Sequence, residues 1–597
     1  MPLPQLPLDV LIKILSYCVN DVKVLKNFLL SSRLFHEAAS VPSLWEIPYR
    51  ARYLHSDDAN EEKRKAECKS NWREMYTARR RLDSKALDLL RSVVEAPSSR
   101  NEVLLDLIDM SLDVWDALSS ESSSPILSND PGNHERVGSY PLTWKYWAGA
   151  VAGGIAKRQV LDAWPPIFQQ TPHAKETISF EDALSYASCF FGIPKQEVSR
   201  KLESLGENCK IFLVQKQHTL GPEYSDSVLP ALCNDICLFM REEGFCMATY
   251  GRYAQLLNKF PHLYLSTHKE TIPMSLVHIF VSLCRQIGIQ AFPISFPGTV
   301  LANVPRKDTL PLAVNPSAIE LHNAVLNERS DIVLDKSFPF SVFPGPHDDM
   351  LRACLDTGAL LVRFHNNVQA SMGDSRVIAG NRIGAALMSL CVGALVHDDN
   401  GIRHVLTEAS ILPFIDIFLL SKYLLPLLSP NKRQVLEFYW SDTLSSGQIQ
   451  PKRRSPKGSP NYFVGMVMEH AKYHYQGVIY GWDYECKSND VWISRMNVDQ
   501  LPRGRHQPFY HIYTDSYSNA STYVAEENII PIGLTSDAAS SLLDKCPSLQ
   551  RCFGDVVVSQ QLGESEGVGR FLQSPESKLA YPDDEDFGSR FIGDTTL

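Results

Sequence analysis

A change in hydrophobic periodicity near residue 461 constrains the fold of this chain more than any other feature. Before that point, long stretches carry apolar residues at helical spacing, as in Leu87, Leu90 and Val94, which is typical of amphipathic helices. From 461 to 532 the pattern changes to short runs in which apolar and polar residues alternate, as in FYHIY at 509–513, and this favours β-strands. The chain of 597 residues is therefore expected to be multidomain and mainly α, with a small β-barrel near its C-terminus.

Segments rich in serine, proline and glycine divide the chain further. Residues 119–139 predict a mobile loop, and residues 443–460 (TLSSGQIQPKRRSPKGSP) predict a disordered basic linker. The predicted segments are a helical module at 1–55, a helical linker with the mobile loop at 56–139, a helical body at 140–442, the basic linker at 443–460, the β-barrel at 461–535 and a C-terminal tail at 536–597.

Composition and charge exclude several classes of protein. A hydrophobic content of 44% with 21% charged residues is typical of globular domains, and a formal net charge of -10 argues against a generic nucleic-acid binder. The 13 cysteines lack the paired spacing of a zinc finger, so we expect reduced thiols, no metal and no cofactor. The N-terminus lacks the features of a signal peptide, and the apolar stretches at 383–396 and 411–428 are short or interrupted by charge. These features predict a soluble, cytoplasmic and/or nuclear protein that does not contact membranes.

The first fifty residues combine an apolar helical face with a specific order of short motifs. The runs LPLDVLIKIL, LLSSRLFHEAA and SLW resemble the F-box in order and spacing. The resemblance implies a helical module that binds a Skp-type adaptor and, through it, a cullin. The residues that it implies as adaptor contacts are Leu6, Pro7, Val10, Leu11, Ile14, Leu15, Leu34 and Trp45. From the hydrophobic pattern alone, a small helical bundle that packs against the rest of the chain is equally consistent.

The middle of the chain carries a hydrolase-like pattern without the expected catalytic side chains. The runs TIPMSLVHIFVSLCRQIGIQAFPISFPGTV and DIVLDKSF resemble the SirB-type transglutaminase-like region. Its chemistry needs a thiolate at a helix N-terminus, a histidine base and an aspartate that orients the histidine. At the matching positions this chain has Ser275, Thr299 and Asp335, so the resemblance implies an α-rich α+β scaffold with a degenerate triad. A residual enzyme that uses Ser275 or Cys284, with His278 nearby, is the alternative.

The β-rich region contains a series of short motifs along its whole length: Val464-Gly465, His470, Gly477-Val478-Ile479, Trp482-Asp483, Gln507-Pro508-Phe509-Tyr510 and Tyr523-Val524-Ala525-Glu526-Glu527-Asn528. With these motifs the region resembles the YccV-like or hemimethylated-DNA-binding-like domain, and this is the most extensive resemblance in the chain. Residues 461–532 hold five Lys and Arg but eight Asp and Glu, which favours recognition of a protein over DNA. The aromatic candidates for substrate binding are Tyr473, Trp482, Trp492, Phe509 and Tyr510.

The order of the three resemblances is that of F-box proteins of the fungal type. It implies a non-catalytic substrate-recognition subunit of a Skp–cullin–F-box ubiquitin ligase, which recruits an unknown protein substrate for degradation. In this interpretation the helical body sets the distance between the F-box and the β-barrel. The alternative is a DNA- or chromatin-associated protein that binds through the YccV-like domain. The run KRRSPK at 452–457 is either a nuclear import signal or a solvated basic loop.

Overall fold

The computed structural model forms two compact units. The first comprises Met1–Ala152 and Ser445–Leu597, and the second comprises Gly153–Leu444. The structure describes residues 6–124, 140–168, 178–249, 251–296, 299–309, 311–318, 324–325, 356–373, 379–397, 406, 412–445, 449–455, 459–515, 520–558 and 569–595. Among these residues, no helix has the length and apolar character needed to cross a membrane.

Most described residues with regular structure are helical. The α-helices are α1 (Leu8–Ser16), α2 (Val22–Ser31), α3 (Arg33–Ala39), α4 (Glu46–Arg52), α5 (Asp58–Glu67), α6 (Trp72–Glu95), α7 (Arg100–Asp109), α8 (Trp115–Ser123), α9 (Pro141–Ala163), α10 (Pro165–Phe168), α11 (Phe180–Ser185), α12 (Lys195–Gln215), α13 (Leu229–Glu242), α14 (Pro261–Tyr264), α15 (Pro273–Ile287), α16 (Thr357–Met372), α17 (Ala379–Val396), α18 (Phe414–Leu419), α19 (Pro430–Ser445), α20 (Asp490–Arg495), α21 (Ser536–Lys545), α22 (Leu549–Cys552), α23 (Pro575–Ala580) and α24 (Asp584–Thr595). Short 3₁₀ helices lie at Pro42–Trp45, Pro97–Ser99, Ser111–Val114, Tyr186–Phe191, Leu256–Asn258, Leu425–Leu427, Val498–Gln500 and Glu526–Asn528, and a π-helical turn lies at Leu420–Leu424.

The strands in the described part of the chain form four small sheets. Their bounds are β1 (Cys246–Met247), β2 (Glu270–Thr271), β3 (Phe292–Phe296), β4 (Thr299–Val304), β5 (Leu312–Val314), β6 (Val467–His470), β7 (Gln476–Asp483), β8 (Phe509–Thr514), β9 (Ala520–Ala525), β10 (Ile529–Pro531), β11 (Phe553–Val557) and β12 (Arg570–Gln573). In the second unit β1 pairs with β2 in parallel, and β3, β4 and β5 form an antiparallel sheet. The buried helix α15 packs against β4 of this sheet.

The N-terminal helices begin where the sequence supplies caps. The side chain of Asp21 accepts a hydrogen bond from the backbone N–H of Lys23 at the start of α2, and Ser32 accepts from Phe35 at the start of α3. Helix α6 completes the core of this module, because Tyr76 packs against the ring of Trp45 at a centroid distance of 5.2 Å. The F-box-like module is therefore continuous with the helices that follow it.

Part of the predicted mobile loop is helical. The serine-rich segment that begins at 119 belongs to α8, whereas residues 125–139 lie outside the described residues. Serine is compatible with a helix here because the hydroxyl of Ser122 donates to the backbone carbonyl of Ser119, and that of Ser124 to Ser120. The indole N–H of Trp144 also donates to Glu121 and anchors the helix.

The predicted disordered linker is also partly ordered. Helix α19 extends to Ser445, and residues 449–455 contact the C-terminal region. Arg454 is 9% exposed in its side chain and forms an ion pair with the buried carboxylate of Asp584 at 2.7 Å. The composition of the segment predicted a solvated loop, but acidic partners far along the chain hold it in place. Residues 456 and 457 of the proposed import signal lie outside the described residues.

The β domain contains a five-stranded antiparallel sheet in the order β10-β6-β7-β8-β9. Among the described residues no ladder joins β9 to β10, so the closed barrel predicted from the sequence is not observed there. Gly465, which precedes β6, has a positive φ of 101°. A Cβ atom at this position would lie 2.1 Å from the carbonyl oxygen of Phe571, so only glycine allows this close approach of the two backbones.

The C-terminal tail is part of the β domain. Strands β11 and β12 pair with each other, and Phe553 and Phe571 lie in the same core as Trp482. Asp584, at the start of α24, accepts hydrogen bonds from the indole N–H of Trp482 at 2.9 Å and from the backbone N–H of Val464 at 2.8 Å. The tail therefore closes one side of the domain core.

Candidate functional site

Helix α1 presents an exposed apolar stripe. Its side chains are Leu6 (48% exposed), Val10 (39%), Ile14 (43%) and Tyr17 (74%), which recur every three or four residues. Val10 and Ile14 lie on one face of α1, and Leu6 and Tyr17 flank its two ends. A contiguous apolar stripe of this kind on a surface indicates an interaction site. We refer to these four residues as the α1 stripe.

The residues predicted to contact an adaptor divide into two groups. Leu6, Pro7, Val10 and Ile14 are exposed, and Leu34 is half-buried. The structure corrects the prediction for Leu11, Leu15 and Trp45, which lie in the core of the module. Leu11 and Leu15 follow Val10 and Ile14 by one residue each, which turns them about 100° around the helix axis and into that core. The indole N–H of Trp45 donates to the carbonyl of Ala39 at 2.8 Å, which satisfies its polar atom inside the core.

In the transglutaminase-like region, Ser275 lies in the first turn of α15 as the sequence predicted, but it is buried. Its side chain is 1% exposed, and its hydroxyl donates to the carbonyl of Asn258 at 3.4 Å. Thr299 begins β4 and is half-buried, whereas Asp335 lies outside the described residues. The position predicted for the nucleophile is thus closed to solvent.

Both ring nitrogens of His278 have hydrogen-bond partners other than Ser275. Its Nδ1 atom lies 2.8 Å from the hydroxyl of Tyr264, and its Nε2 atom lies 3.0 Å from the carbonyl of Glu181 and 3.2 Å from the hydroxyl of Ser185. Burial lowers the pKa of His278 to about 4, so the ring is neutral at physiological pH. These contacts are those of a hydrogen-bonded core histidine.

The other nucleophile considered, Cys284, is buried in the same helix. Burial raises the pKa of its thiol well above the usual value and keeps it protonated. Cys233 and Cys237 are also buried free thiols. Within the described part of the chain, no group of three or more His, Cys, Asp or Glu side chains could hold a metal ion.

In the β domain, three of the five aromatic candidates for substrate binding are core residues. Trp482, Phe509 and Tyr510 are buried, so the prediction that they form a binding surface is wrong for them. The polar atoms of two of these rings have partners inside the protein. The indole N–H of Trp482 donates to Asp584, and the hydroxyl of Tyr510 donates to Glu526 at 2.8 Å. Tyr473 is exposed, and Trp492 is half-buried on α20.

A row of half-buried rings lies on the sheet and on α20, and of its members the sequence predicted only Trp492. It consists of Tyr513, Tyr480, His511, Tyr523 and Trp492, and we call it the aromatic ladder. Tyr480 stacks on Tyr513 at a centroid distance of 4.2 Å, and His511 stacks on Tyr523 at 4.6 Å. Strand β8 contributes His511 and Tyr513 to this face and the buried Tyr510 and Ile512 to the other. The alternation in FYHIYT was the signal that could have identified the ladder.

Asp483 joins the aromatic ladder to a neighbouring cleft. Its carboxylate accepts hydrogen bonds from Lys452 at 2.6 Å, from His511 Nε2 at 3.0 Å and from the hydroxyl of Tyr523 at 2.8 Å. Burial alone would raise the pKa of Asp483, but these hydrogen bonds outweigh it and hold the pKa well below its usual value. The cleft has a volume of about 430 Å³ and is lined by Lys452, Asp483, Tyr484, Glu485, Lys487 and His506.

Family models confirm two of the three resemblances. Residues 460–556 match the model described as hemimethylated DNA-binding protein YccV like, a range that extends beyond the predicted end of the barrel at 535. Residues 196–331 match the model of the transglutaminase-like superfamily. No solved structure matches the chain.

Curated relatives support the third resemblance. The chain is 47% identical over 68 residues to F-box only protein 21 of Mus musculus, and 46% identical over 68 residues to the proteins of that name from Pongo abelii and Homo sapiens. The matched segment covers 11% of this chain and 10% to 11% of the relatives, so the chain spans about a tenth of their length. The chain thus contains a transglutaminase-like region followed by a YccV-like domain, and its similarity to F-box only protein 21 supports its interpretation as an F-box protein.

Proposed function

We propose that this protein is the substrate-recognition subunit of a Skp–cullin–F-box ubiquitin ligase and recruits a protein substrate for ubiquitination and degradation. The observation that carries the proposal is the α1 stripe, which lies on a well-packed helical module at the N-terminus. The similarity to F-box only protein 21 supports the same assignment.

On the adaptor side, the α1 stripe supplies the apolar area that a stable interface needs. Fully burying one such side chain contributes roughly 1.5–3 kcal/mol. Asp9 and Lys13 also lie exposed on α1 and are suited to the polar rim that surrounds an apolar interface core. A Skp-type adaptor that covers the stripe would place the protein on a cullin.

On the substrate side, the aromatic ladder is the surface of the β domain best suited to bind a protein. Tyrosine and tryptophan rings carry much of the binding energy in protein interfaces. The excess of acidic over basic residues in 461–532 disfavours contact with a phosphate backbone. The proposal assigns substrate capture to this face and adaptor binding to the α1 stripe.

The protein would contribute proximity rather than bond chemistry. Ser275 is buried, and the nearby His278 bonds to Tyr264 and to groups near the start of α11. We infer a degenerate triad at Ser275, Thr299 and Asp335. Holding a substrate lysine near the charged ubiquitin carrier raises its effective concentration without any reaction at the adaptor itself.

Affinity purification from cells tests both sides of the proposal. The intact protein is compared with a Val10→Asp and Ile14→Asp double variant, and with a His511→Ala and Tyr523→Ala double variant. The first should lose the adaptor and keep the substrate, and the second should lose the substrate and keep the adaptor. If the adaptor co-purifies equally with all three proteins, the proposed function is wrong.

The second candidate function is binding of DNA through the YccV-like domain, in the cytoplasm or the nucleus. The name of the matching family and the stacked rings of the ladder favour it, because aromatic faces can stack on bases. It predicts binding of duplex DNA that weakens steeply as salt is raised. Absence of such binding by the purified full chain would eliminate this candidate.

A further inference from the structure

We propose that the cleft lined by Lys452, Asp483, Tyr484, Glu485, Lys487 and His506 binds an acidic side chain of a peptide segment, either a carboxylate or a phosphate group. The identification of that peptide as part of a substrate rests on the proposed function. The chemistry of the cleft does not. Its volume of about 430 Å³ falls within the range of about 300–1,000 Å³ in which ligand pockets lie.

The carboxylates of the cleft are already engaged. Asp483 accepts from Lys452, His511 and Tyr523, and three donors fill most of what one carboxylate can accept. Glu485 pairs with Lys487 at 2.7 Å and lies 3.8 Å from His506. A cationic ligand would therefore have to displace existing partners before it gained a new one.

The cations of the cleft, in contrast, retain unused donors. An ammonium group has three N–H donors. Within the described residues, Lys487 donates one to Glu485, and Lys452 donates to Asp483 and to the carbonyl of Trp482. His506 is highly exposed, and its ion pair with Glu485 is long. The remaining binding capacity of the cleft is that of a donor, which suits an anion.

The surroundings of the cleft favour a peptide over a nucleic acid. Residues 461–532 hold eight acidic and five basic residues, so a long polyanion meets net repulsion along the domain. A single anionic side chain is screened from acidic residues that lie more than about 8 Å away, whereas a long polyanion passes close to many of them. The cleft also adjoins the aromatic ladder through Tyr523, whose hydroxyl donates to Asp483 while its ring stacks on His511. A peptide with its acidic residue in the cleft can therefore lay its neighbouring residues on the ladder.

Fluorescence anisotropy with the purified full chain tests the inference. The probes are a fluorescein-labelled peptide with a central run of glutamates, the same peptide with one phosphoserine in place of that run, and an alanine counterpart. We expect both acidic probes to bind and the alanine probe to bind at least about tenfold more weakly. A difference between the two acidic probes identifies which anion the cleft prefers.

Charge-reversal variants locate the binding. Lys487→Glu should weaken the binding of the acidic probes about tenfold or more. Lys85→Glu changes the net charge equally at an exposed position of α6 and should leave this binding unchanged. Equal weakening in both variants, no binding of either acidic probe, or tighter binding of duplex DNA at the same cleft would overturn the inference. Co-purification of the adaptor is measured on the same variants. If neither acidic probe binds while the adaptor still co-purifies, the cleft assignment is wrong and the proposed function stands.

Discussion

The guanidinium group of Arg100 donates a hydrogen bond to the carboxylate of Glu576 at 2.6 Å, across 476 residues of the chain. Arg551 donates to the same carboxylate at 2.8 Å, and the Arg100 guanidinium lies 4.4 Å from the ring centre of Trp147. These contacts join α7, in the N-terminal part, to α23 in the C-terminal tail. The sequence-based interpretation gave the helical body the task of setting the distance between the F-box-like module and the β domain. Both lie in the first unit, together with residues 140–152 from the start of that body.

Neutralising Glu576 should destabilise the first unit. Glu576→Gln leaves the buried Arg100 without its countercharge, and breaking a buried ion pair on one side costs roughly 3 kcal/mol or more. We expect a lower urea midpoint for the unfolding of this unit, followed by tryptophan fluorescence. Glu102→Gln, at an exposed position of α7, serves as the control and should leave the midpoint unchanged. Equal midpoints for Glu576→Gln and the intact protein would contradict the role given to this pair.

Asp483 should make the stability of the β domain depend on pH. Its pKa in the folded protein lies below the unfolded value of about 3.8, so its contribution is fully present above that value and is lost as the pH falls through the folded pKa. Asp483→Asn removes this contribution at neutral pH and should flatten the decline of stability below about pH 4. Thermal unfolding of the intact protein and of Asp483→Asn between pH 3 and pH 7 measures this difference in pH dependence. Parallel pH profiles would show that Asp483 titrates normally.

Asp584 should be essential to the β domain even though it lies outside the range that matches the YccV-like family. It accepts from Trp482, Val464 and Arg454, so Asp584→Ala leaves three donors unsatisfied. Each unsatisfied buried group costs roughly 1–3 kcal/mol, so the free energy of unfolding should fall by several kcal/mol. Near-ultraviolet circular dichroism should show a loosened environment of Trp482, and Asp586→Ala, at an exposed position of α24, should not. A native spectrum for Asp584→Ala would overturn the account of the tail.

A cysteine introduced at the degenerate position should be unreactive. In Ser275→Cys the new thiol is buried, and burial keeps a thiol protonated despite its place in the first turn of α15. We expect iodoacetamide to modify the introduced thiol in the unfolded protein but not in the native protein, as measured by peptide mass spectrometry. Cys18 and Cys68, which are partly exposed, provide the internal controls. Fast labelling of position 275 in the native state would indicate an accessible active site.

Local patterns in the sequence predicted much of what the structure contains. The alternation along β8 and the apolar face of α1 are local signals, and both elements formed where these signals place them. The sequence did not show which of two apolar faces is covered by another segment. On α1 it could not separate Val10 and Ile14 from Leu11 and Leu15, because all four are apolar and the choice depends on packing of later helices.

Contacts between distant segments explain the remaining differences. Arg453 and Arg454 were expected in a solvated loop because their acidic partners lie about 130 residues further along the chain. From the sequence, Trp482 was expected to be exposed. Its hydrogen-bond partner Asp584 lies in a tail whose sequence pattern gives little indication of regular structure. Phe509 and Tyr510 are neighbours on one strand, and both are buried because α20 and the 3₁₀ helix at Val498–Gln500 cover the second face of that end of β8.

The most direct measurement is the affinity of the purified protein for a Skp-type adaptor. We expect tight binding that falls by at least about a hundredfold in the Val10→Asp and Ile14→Asp double variant, because two charges would be buried in an apolar interface. Ile211→Asp, at an exposed apolar position on α12, should bind like the intact protein. Equal affinity of the double variant and the intact protein for the adaptor, with folding verified by circular dichroism, would contradict the central claim.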